Sequence, residues 1–277
     1  MVVRALTLFR TKLAERDGGS LEVPRFRAHL VKNVPSRAGL ATGASNAATA
    51  LWGANALCGS PASEAELAEW GAELGTEVAA FLGRTGSAYC TGRGVFVRTD
   101  RAEPLPRLPR DSLRGRLFVV TTAPPEVEKR PSKAATAAGV STAAIFRRLA
   151  DEQYTSLSHA QPADLLAAFA SSGAASAITN DLSEHALHLS SELACVREAL
   201  LRREGERSFD EVVLCGAGPS LLALSSPREG EGEGAALLAE RVARECEAAC
   251  EAACGVRARV WPVEFAEPAE DGCWYSG

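Results

Sequence analysis

The sequence has no apolar run that approaches the length of a membrane span, so it predicts no transmembrane segment and no membrane partner. It also has no excess of positive charge: its 277 residues contain 30 Lys and Arg against 35 Asp and Glu, a net charge of −5. This balance argues against a nucleic-acid-binding surface. Residues 1–10 show neither a secretory hydrophobic region nor a Ser-rich transit segment, and they predict an amphipathic helix.

The cysteines and histidines lack the spacing of metal ligands, although the chain has eight Cys and four His. Cys246, Cys250 and Cys254 recur every four residues, which would align them on one side of a helix. No His or second Cys pair completes a zinc site, so we expect a buried apolar stripe and no metal site. The other five cysteines are scattered, which favours a reducing compartment. His185 and His188 predict a partly exposed helix face rather than a ligand pair.

Strand-like and helix-like patterns are mixed along the chain without a regular βαβ alternation, so the sequence predicts an α+β fold. Ser63 and Glu66 form a capping box that begins a helix. The predicted helices span residues 2–15, 45–57, 64–74, 143–149, 162–171, 184–203 and 235–254. The predicted strands span residues 26–31, 117–122, 212–215, 220–225 and 256–265, with a hairpin at 87–98.

The most informative segment runs from Pro35 to Asn46, where a proline leads into small residues and then into an Ala-rich helix. Small side chains let backbone N–H groups approach a ligand, and the helix adds its unpaired N-terminal amides and positive dipole end. This pattern predicts an anion site, most simply for phosphate. An ordinary tight turn whose helix is capped by Thr42 or Ser45 explains the same residues. No Gly-Lys-Ser/Thr closes the segment as in a Walker loop, and the glycine spacing does not fit a dinucleotide fingerprint.

Four motifs, in order along the chain, resemble those of the GHMP kinases. The first is this segment, which is similar to the family's Pro-x-x-x-Gly-Leu-Gly-Gly-Gly-Ser-Ser-Asn-Ala-Ala phosphate loop. Ala88–Gly94, Asn180–Leu182 and Leu214–Ser220 match three later motifs. Ala88–Gly94 is most similar to the plant and algal 4-diphosphocytidyl-2-C-methyl-D-erythritol kinases. The resemblance extends from residue 2 to about residue 224, apart from a dissimilar insert at 123–139.

The resemblance implies a two-domain α+β GHMP kinase fold, with a phosphate-loop domain at residues 1–114 that lacks the family's first strands and a C-terminal domain at 115–277. It implies a kinase that uses ATP and Mg²⁺ to phosphorylate the 2-hydroxyl of 4-diphosphocytidyl-2-C-methyl-D-erythritol, in the non-mevalonate synthesis of isoprenoid precursors. It also implies the plastid stroma in a photosynthetic eukaryote and the cytoplasm otherwise. The ATP-binding residues that it implies are Pro35, Gly39, Leu40, Ala41, Thr42, Gly43, Ala44, Ser45, Asn46, Gly216, Ala217 and Gly218.

Glu77 stands where the family carries the aspartate that accepts the proton of the substrate hydroxyl. Glutamate has the same chemistry with one more methylene, and a misplacement of about 1 Å can cost on the order of a hundredfold in rate. Glu77 is therefore either the catalytic base or a solvated carboxylate at the end of a helix. The family's N-terminal lysine and Tyr-His segments have no counterpart here. Two alternatives follow: a catalytically impaired or inactive nucleotide-binding remnant, and a GHMP kinase for another small-molecule alcohol, such as homoserine or mevalonate.

Overall fold

The computed structural model describes residues 1–16, 18, 24–83, 89–91, 96–98, 116–122, 141–150, 164, 179–201, 209–225 and 235–266. The described residues form two compact units. The first draws on residues 1–33, 41–107 and 266, and the second on residues 34–40 and 108–265. The predicted domain boundary at residue 114 and the insert at 123–139 lie outside the described residues.

Four helices and a hairpin make up the first unit: α1 (Val2–Arg16), α2 (Thr42–Leu57), α3 (Glu64–Leu74), α4 (Thr76–Leu82), β1 (Tyr89–Thr91) and β2 (Phe96–Arg98). The two strands pair antiparallel, as the sequence predicts. The helices bury one apolar cluster because each contributes a fully or nearly fully buried side chain: Phe9 of α1, Leu51 of α2, Leu67 of α3 and Val78 of α4. The ring of Phe9 also packs edge-on against Trp70, with 5.9 Å between the ring centroids.

Two sets of hydrogen bonds fix the connection between α2 and α3. Ser63 and Glu66 form the predicted capping box, in which the Glu66 amide donates to Ser63 Oγ and the Ser63 amide donates to Glu66 Oε2. Asn55 is buried, and its side chain makes two hydrogen bonds to the backbone of Ala62: Nδ2 donates to the carbonyl at 2.8 Å, and Oδ1 accepts from the amide at 2.9 Å. The buried amide is thus fully used to fix the turn.

The second unit contains α5 (Thr142–Ala150), α6 (Leu182–Leu189), α7 (Ser191–Leu201), α8 (Ala235–Cys254) and four strands: β3 (Leu117–Thr121), β4 (Glu211–Leu214), β5 (Ser220–Leu224) and β6 (Arg259–Val263). The strands form one antiparallel sheet in the order β4-β5-β3-β6. The helices and the sheet share one apolar core, to which Phe118, Val196 and Leu221 contribute. Antiparallel sheets with packed helices confirm the α+β prediction.

Two predicted elements differ from the structure, and a third lies almost wholly outside the described residues. The structure gives no strand at residues 26–31, because alternation alone does not make a strand when no described strand lies beside it. The helix predicted at 184–203 is two helices, divided at Ser190, whose backbone is extended and whose Oγ accepts a hydrogen bond from the Leu193 amide. The helix predicted at 162–171 lies almost wholly outside the described residues.

The cysteine stripe of α8 divides into two parts. Cys246 and Cys250 are fully buried, as predicted, and belong to the core of the second unit. Cys254 instead forms a disulfide with Cys195 of α7, with the two Cα atoms 5.9 Å apart. This bond contradicts the expectation that the scattered cysteines indicate a reducing compartment. His185 is buried and His188 is exposed, which agrees with the prediction of a partly exposed helix face. Among the described helices, none has the length and apolar character needed to cross a membrane.

Candidate active site

The segment before α2 has an unusual backbone, which the sequence only partly predicts. Arg37, Gly39 and Ala41 all have positive φ, at 55°, 73° and 49°. Glycine accepts this conformation freely, whereas alanine and arginine pay a steric cost of about 1–2 kcal/mol. Pro35 is buried and Leu40 is half-buried. The alternation of left-handed residues turns the chain sharply just before the helix begins.

Gly39 lies directly against the turn that follows β4. A Cβ atom placed on Gly39 would lie 2.1 Å from the Cys215 carbonyl oxygen and 2.9 Å from the Gly218 amide nitrogen. In return, a Cβ atom on Gly216 would lie 3.0 Å from the Gly39 carbonyl oxygen. The Ser220 amide donates to the Ala38 carbonyl at 3.2 Å, which ties the two segments together. The structure therefore brings together three residues of the predicted ATP-binding set across about 177 positions of sequence.

The start of α2 exposes backbone donors. Its N-cap is Ala41, which has no side chain able to cap, and the amides of Ala44 and Ser45 both donate to the Ala41 carbonyl at 3.0 Å. Within the described residues, the amides of Thr42 and Gly43 have no hydrogen-bond acceptor. The alternative in which Thr42 or Ser45 caps the helix is therefore wrong. Two unpaired amides at the positive end of a 16-residue helix are suited to an anion.

The other side chains of this segment flank those amides. Thr42, Ser45 and Asn46 are half-buried, and Ala44 is buried. The Ser45 carbonyl accepts a hydrogen bond from Thr49 Oγ1, and the Ser45 hydroxyl does not cap the helix. Ala217 is half-buried and packs against the core of the second unit.

Cys215 acts in the second turn through its backbone rather than its thiol. Its amide donates to the Ser220 carbonyl and its carbonyl accepts from the Gly218 amide, both at 2.8 Å, so the turn closes on itself. Burial raises the pKa of the Cys215 thiol to about 11, which leaves the sulfur protonated and a poor nucleophile near neutral pH. Next to this turn, the Ser220 hydroxyl is fully buried and has no hydrogen-bond partner among the described residues.

Asn180 is a residue to which the sequence assigns no role, although it belongs to a resemblance motif. Its Nδ2 donates to the carbonyls of Leu214 and Gly216, at 2.7 and 2.8 Å. Ser183, three residues later, accepts a hydrogen bond from the Leu214 amide at its Oγ. The start of α6 therefore holds the end of β4 and the first glycine of the turn.

Glu77 lies in the first turn of α4 and its side chain is exposed. α4 packs in the same apolar cluster as α2, through Val78 and Leu82. An exposed carboxylate at a helix N-terminus fits a base that awaits a substrate, and it equally fits a solvated helix-end residue. The role of Glu77 stays a prediction. Among the described residues there is no group of three or more His, Cys, Asp or Glu that could hold a metal ion.

The chain is similar in sequence to known proteins, both in its N-terminal part and over most of its length. Residues 1–86 match the GHMP kinases N terminal domain. The chain is 34% identical over 228 residues to the chloroplastic 4-diphosphocytidyl-2-C-methyl-D-erythritol kinase of Oryza sativa, covering 82% of this chain and 49% of the rice protein. The 4-diphosphocytidyl-2-C-methyl-D-erythritol kinase of Protochlamydia amoebophila is 33% identical over 224 residues, covering 81% of this chain and 62% of that protein. The chain spans about half the length of the plant relatives that it matches.

Two solved kinase structures resemble this chain in fold. A crystal structure of 4-(cytidine 5′-diphospho)-2C-methyl-D-erythritol kinase superposes with a TM-score of 0.56 at 24% identity, covering 92% of this chain and 76% of the other. Homoserine kinase from Cytophaga hutchinsonii gives a TM-score of 0.53 at 14% identity, covering 94% and 76%. The predicted resemblance and fold are confirmed: the chain has the GHMP kinase fold, and its residues 1–86 match the GHMP kinases N terminal domain.

Proposed function

We propose that this chain is an ATP-dependent kinase that phosphorylates the 2-hydroxyl of 4-diphosphocytidyl-2-C-methyl-D-erythritol. The observation that carries the proposal is the contact of Gly39 with the Gly216–Gly218 turn, which only backbone atoms can make. The names of the plant and bacterial relatives supply the substrate.

The residues at the start of α2 fit a nucleoside triphosphate such as ATP. The unpaired amides of Thr42 and Gly43 offer donors for phosphate oxygens, and the small side chains around them leave the backbone accessible. The hydroxyls of Thr42 and Ser45 are not used in capping, so either could contact a phosphate or its Mg²⁺. ATP with Mg²⁺ supplies the phosphoryl group and neutralises part of its charge. Mg²⁺ usually keeps several waters and needs few protein ligands, so the absence of a ligand cluster among the described residues agrees with this assignment.

In this proposal Glu77 accepts the proton of the attacking hydroxyl. Its position in the first turn of α4 leaves the carboxylate exposed to solvent and therefore accessible to a substrate. The side chain is longer than the family's aspartate, so we expect a reduced turnover number rather than a lost ATP affinity.

The direct test is ADP release by the purified chain with Mg²⁺ and ATP, with and without the cytidyl erythritol substrate. Substrate-dependent ADP supports the proposal. Glu77→Gln should lower kcat by at least about a hundredfold at unchanged ATP affinity, since it removes the proton acceptor. Glu69→Gln, an exposed carboxylate on α3, is the matched control and should leave kcat unchanged. An unchanged kcat in Glu77→Gln would remove Glu77 from the mechanism.

The second candidate is a nucleotide-binding remnant without turnover, which the glutamate at position 77 favours. ATP binding without substrate-dependent ADP would identify it. Glu77→Asp is then the next variant, because recovery of turnover would show that the extra methylene is the cause. Turnover with another alcohol would instead identify a GHMP kinase of different specificity.

The partners in this proposal are small molecules only, with no nucleic acid or membrane. The plant relatives are named chloroplastic, which supports a location in the plastid stroma if the source is a photosynthetic eukaryote, and in the cytoplasm otherwise.

A further inference from the structure

Asn180 uses every part of its side-chain amide on backbone atoms. Nδ2 donates one hydrogen to the Leu214 carbonyl at 2.7 Å and the other to the Gly216 carbonyl at 2.8 Å. Oδ1 accepts from the Leu182 amide at 2.9 Å, in the first residue of α6. Because two neighbours are carbonyls and the third is an N–H, the orientation of the amide is fixed by its partners.

Few side chains can replace this group. Aspartate has the same shape, but it would turn a carboxylate oxygen toward two carbonyl oxygens and lose both donated hydrogen bonds. Leucine also has a similar shape and would leave both carbonyls without this donor. Neither substitute keeps the two hydrogen bonds that Asn180 donates.

Those two hydrogens hold the turn that touches Gly39. Leu214 is the last residue of β4, and Gly216, at φ +51°, is the residue whose missing Cβ leaves room for the Gly39 carbonyl. Ser183 Oγ accepts from the Leu214 amide at 3.4 Å, so both backbone groups of Leu214 meet the start of α6. Movement of Asn180 would let the Gly216 carbonyl rotate and carry the turn away from Gly39.

We propose that Asn180 is a positioning residue for nucleotide binding. It fixes the position of the Gly216–Gly218 turn relative to Gly39 and does not contact the nucleotide itself. The inference rests on the proposed function, because it assigns ATP to this turn. Asn180 acts through the backbone of Gly216, so its loss should weaken ATP affinity and leave the affinity for the alcohol substrate unchanged.

The test compares Asn180→Leu with Arg197→Met in the whole chain. Arg197 is the matched control, since its Nε also donates to a β4 carbonyl, that of Val212 at 3.0 Å, but away from the turn. Asn180→Leu should raise the Kd and KM for ATP with Mg²⁺ by at least about tenfold, because the carbonyls of Leu214 and Gly216 both lose the donor that holds the turn against Gly39. Arg197→Met should lower the melting temperature without changing the Kd for ATP.

Hydrogen exchange gives a readout independent of turnover. In Asn180→Leu the amides of Gly218 and Ser220, which donate to Cys215 and Ala38, should exchange faster, while amides of the β3–β6 pairing keep their rates. If Asn180→Leu does not fold, Asn180→Ser takes its place with the same expected rise in Kd.

The outcomes separate the two proposals. If the unaltered chain does not bind ATP, the proposed function and this inference both fail. If it binds ATP and Asn180→Leu binds equally well, or if Arg197→Met weakens binding to the same extent, the positioning role alone is overturned.

Discussion

Replacing Gly39 by alanine adds one methyl group at the point where two backbone segments meet. The new Cβ would lie 2.1 Å from the Cys215 carbonyl oxygen, whereas ordinary contacts begin near 3.4 Å. The segments must therefore separate by about 1.3 Å, and both atoms in the way belong to backbone rather than to flexible side chains. Separation on this scale breaks the 3.2 Å hydrogen bond from the Ser220 amide to the Ala38 carbonyl.

The expected cost has two parts. An alanine at φ +73° costs about 1–2 kcal/mol, and overpacking against rigid neighbours costs typically about 1–3 kcal/mol more. Gly255→Ala isolates the first part, because Gly255 has φ +65° in the same unit and a Cβ there would meet nothing within 4 Å. We expect Gly39→Ala to lose about 2–5 kcal/mol and Gly255→Ala about 1–2 kcal/mol.

The assay is urea unfolding of both variants, followed by a Kd for ATP with Mg²⁺ on the folded protein. Gly39→Ala should weaken ATP binding by at least about tenfold, since it displaces the turn, while Gly255→Ala should bind normally. Equal stability losses in the two variants would refute the argument, because they would show that the Gly39 contact is not close. A destabilised Gly39→Ala with normal ATP affinity would keep the packing argument and refute the assignment of this contact to nucleotide binding.

Three further predictions concern single residues. Ala41→Gly should raise the free energy of unfolding by about 0.5–1 kcal/mol, because glycine adopts φ 49° without strain. Ala47→Gly inside the same helix should lower it by at least about 1 kcal/mol, because it adds backbone freedom and removes a fully buried methyl group; a loss in both variants would contradict the left-handed N-cap. Ser63→Ala should cost about 1 kcal/mol in urea unfolding through the lost capping box, and a change below about 0.3 kcal/mol would mean that the cap contributes little. Cys215 should react with iodoacetamide at pH 8 on the order of a hundredfold more slowly than in the unfolded chain, since burial raises its pKa from 9.0 to about 11; rapid labelling of the folded protein would place the thiol in solvent.

Local sequence signals predicted most of the helices. The Ser63–Glu66 capping box begins α3 where it was expected, and the long α8 has its predicted bounds, because capping and apolar periodicity act within a few residues. The helix break at Ser190 was missed, since a serine within an apolar pattern does not reveal whether its backbone is extended. The strand at 26–31 was wrongly predicted for the opposite reason: a strand depends on a partner that alternation cannot supply.

Contacts between residues that lie far apart in the sequence were harder to predict. The disulfide between Cys195 and Cys254 could not be read from the spacing, because pairing depends on how α7 packs on α8. The meeting of Gly39 with Gly216 was expected only through the family resemblance, and the role of Asn180 in that contact was not expected at all. Its signal is an amide residue two positions before the first residue of a helix, which is common near helix starts and does not by itself identify the distant carbonyls that it binds.

The grouping of residues 34–40 with the second unit has a consequence for dissecting the chain. A fragment that begins near residue 115 would contain β5 but not Ala38, so the Ser220 amide would lose its acceptor and the surface of Gly216 would face water. The missing segment is only seven residues long and lies inside the other fragment, between residues 33 and 41. The two halves of this chain are therefore suited to fragment complementation, in which ATP binding returns when they are mixed, and a synthetic peptide covering 34–40 is the smallest piece that could restore the glycine contact.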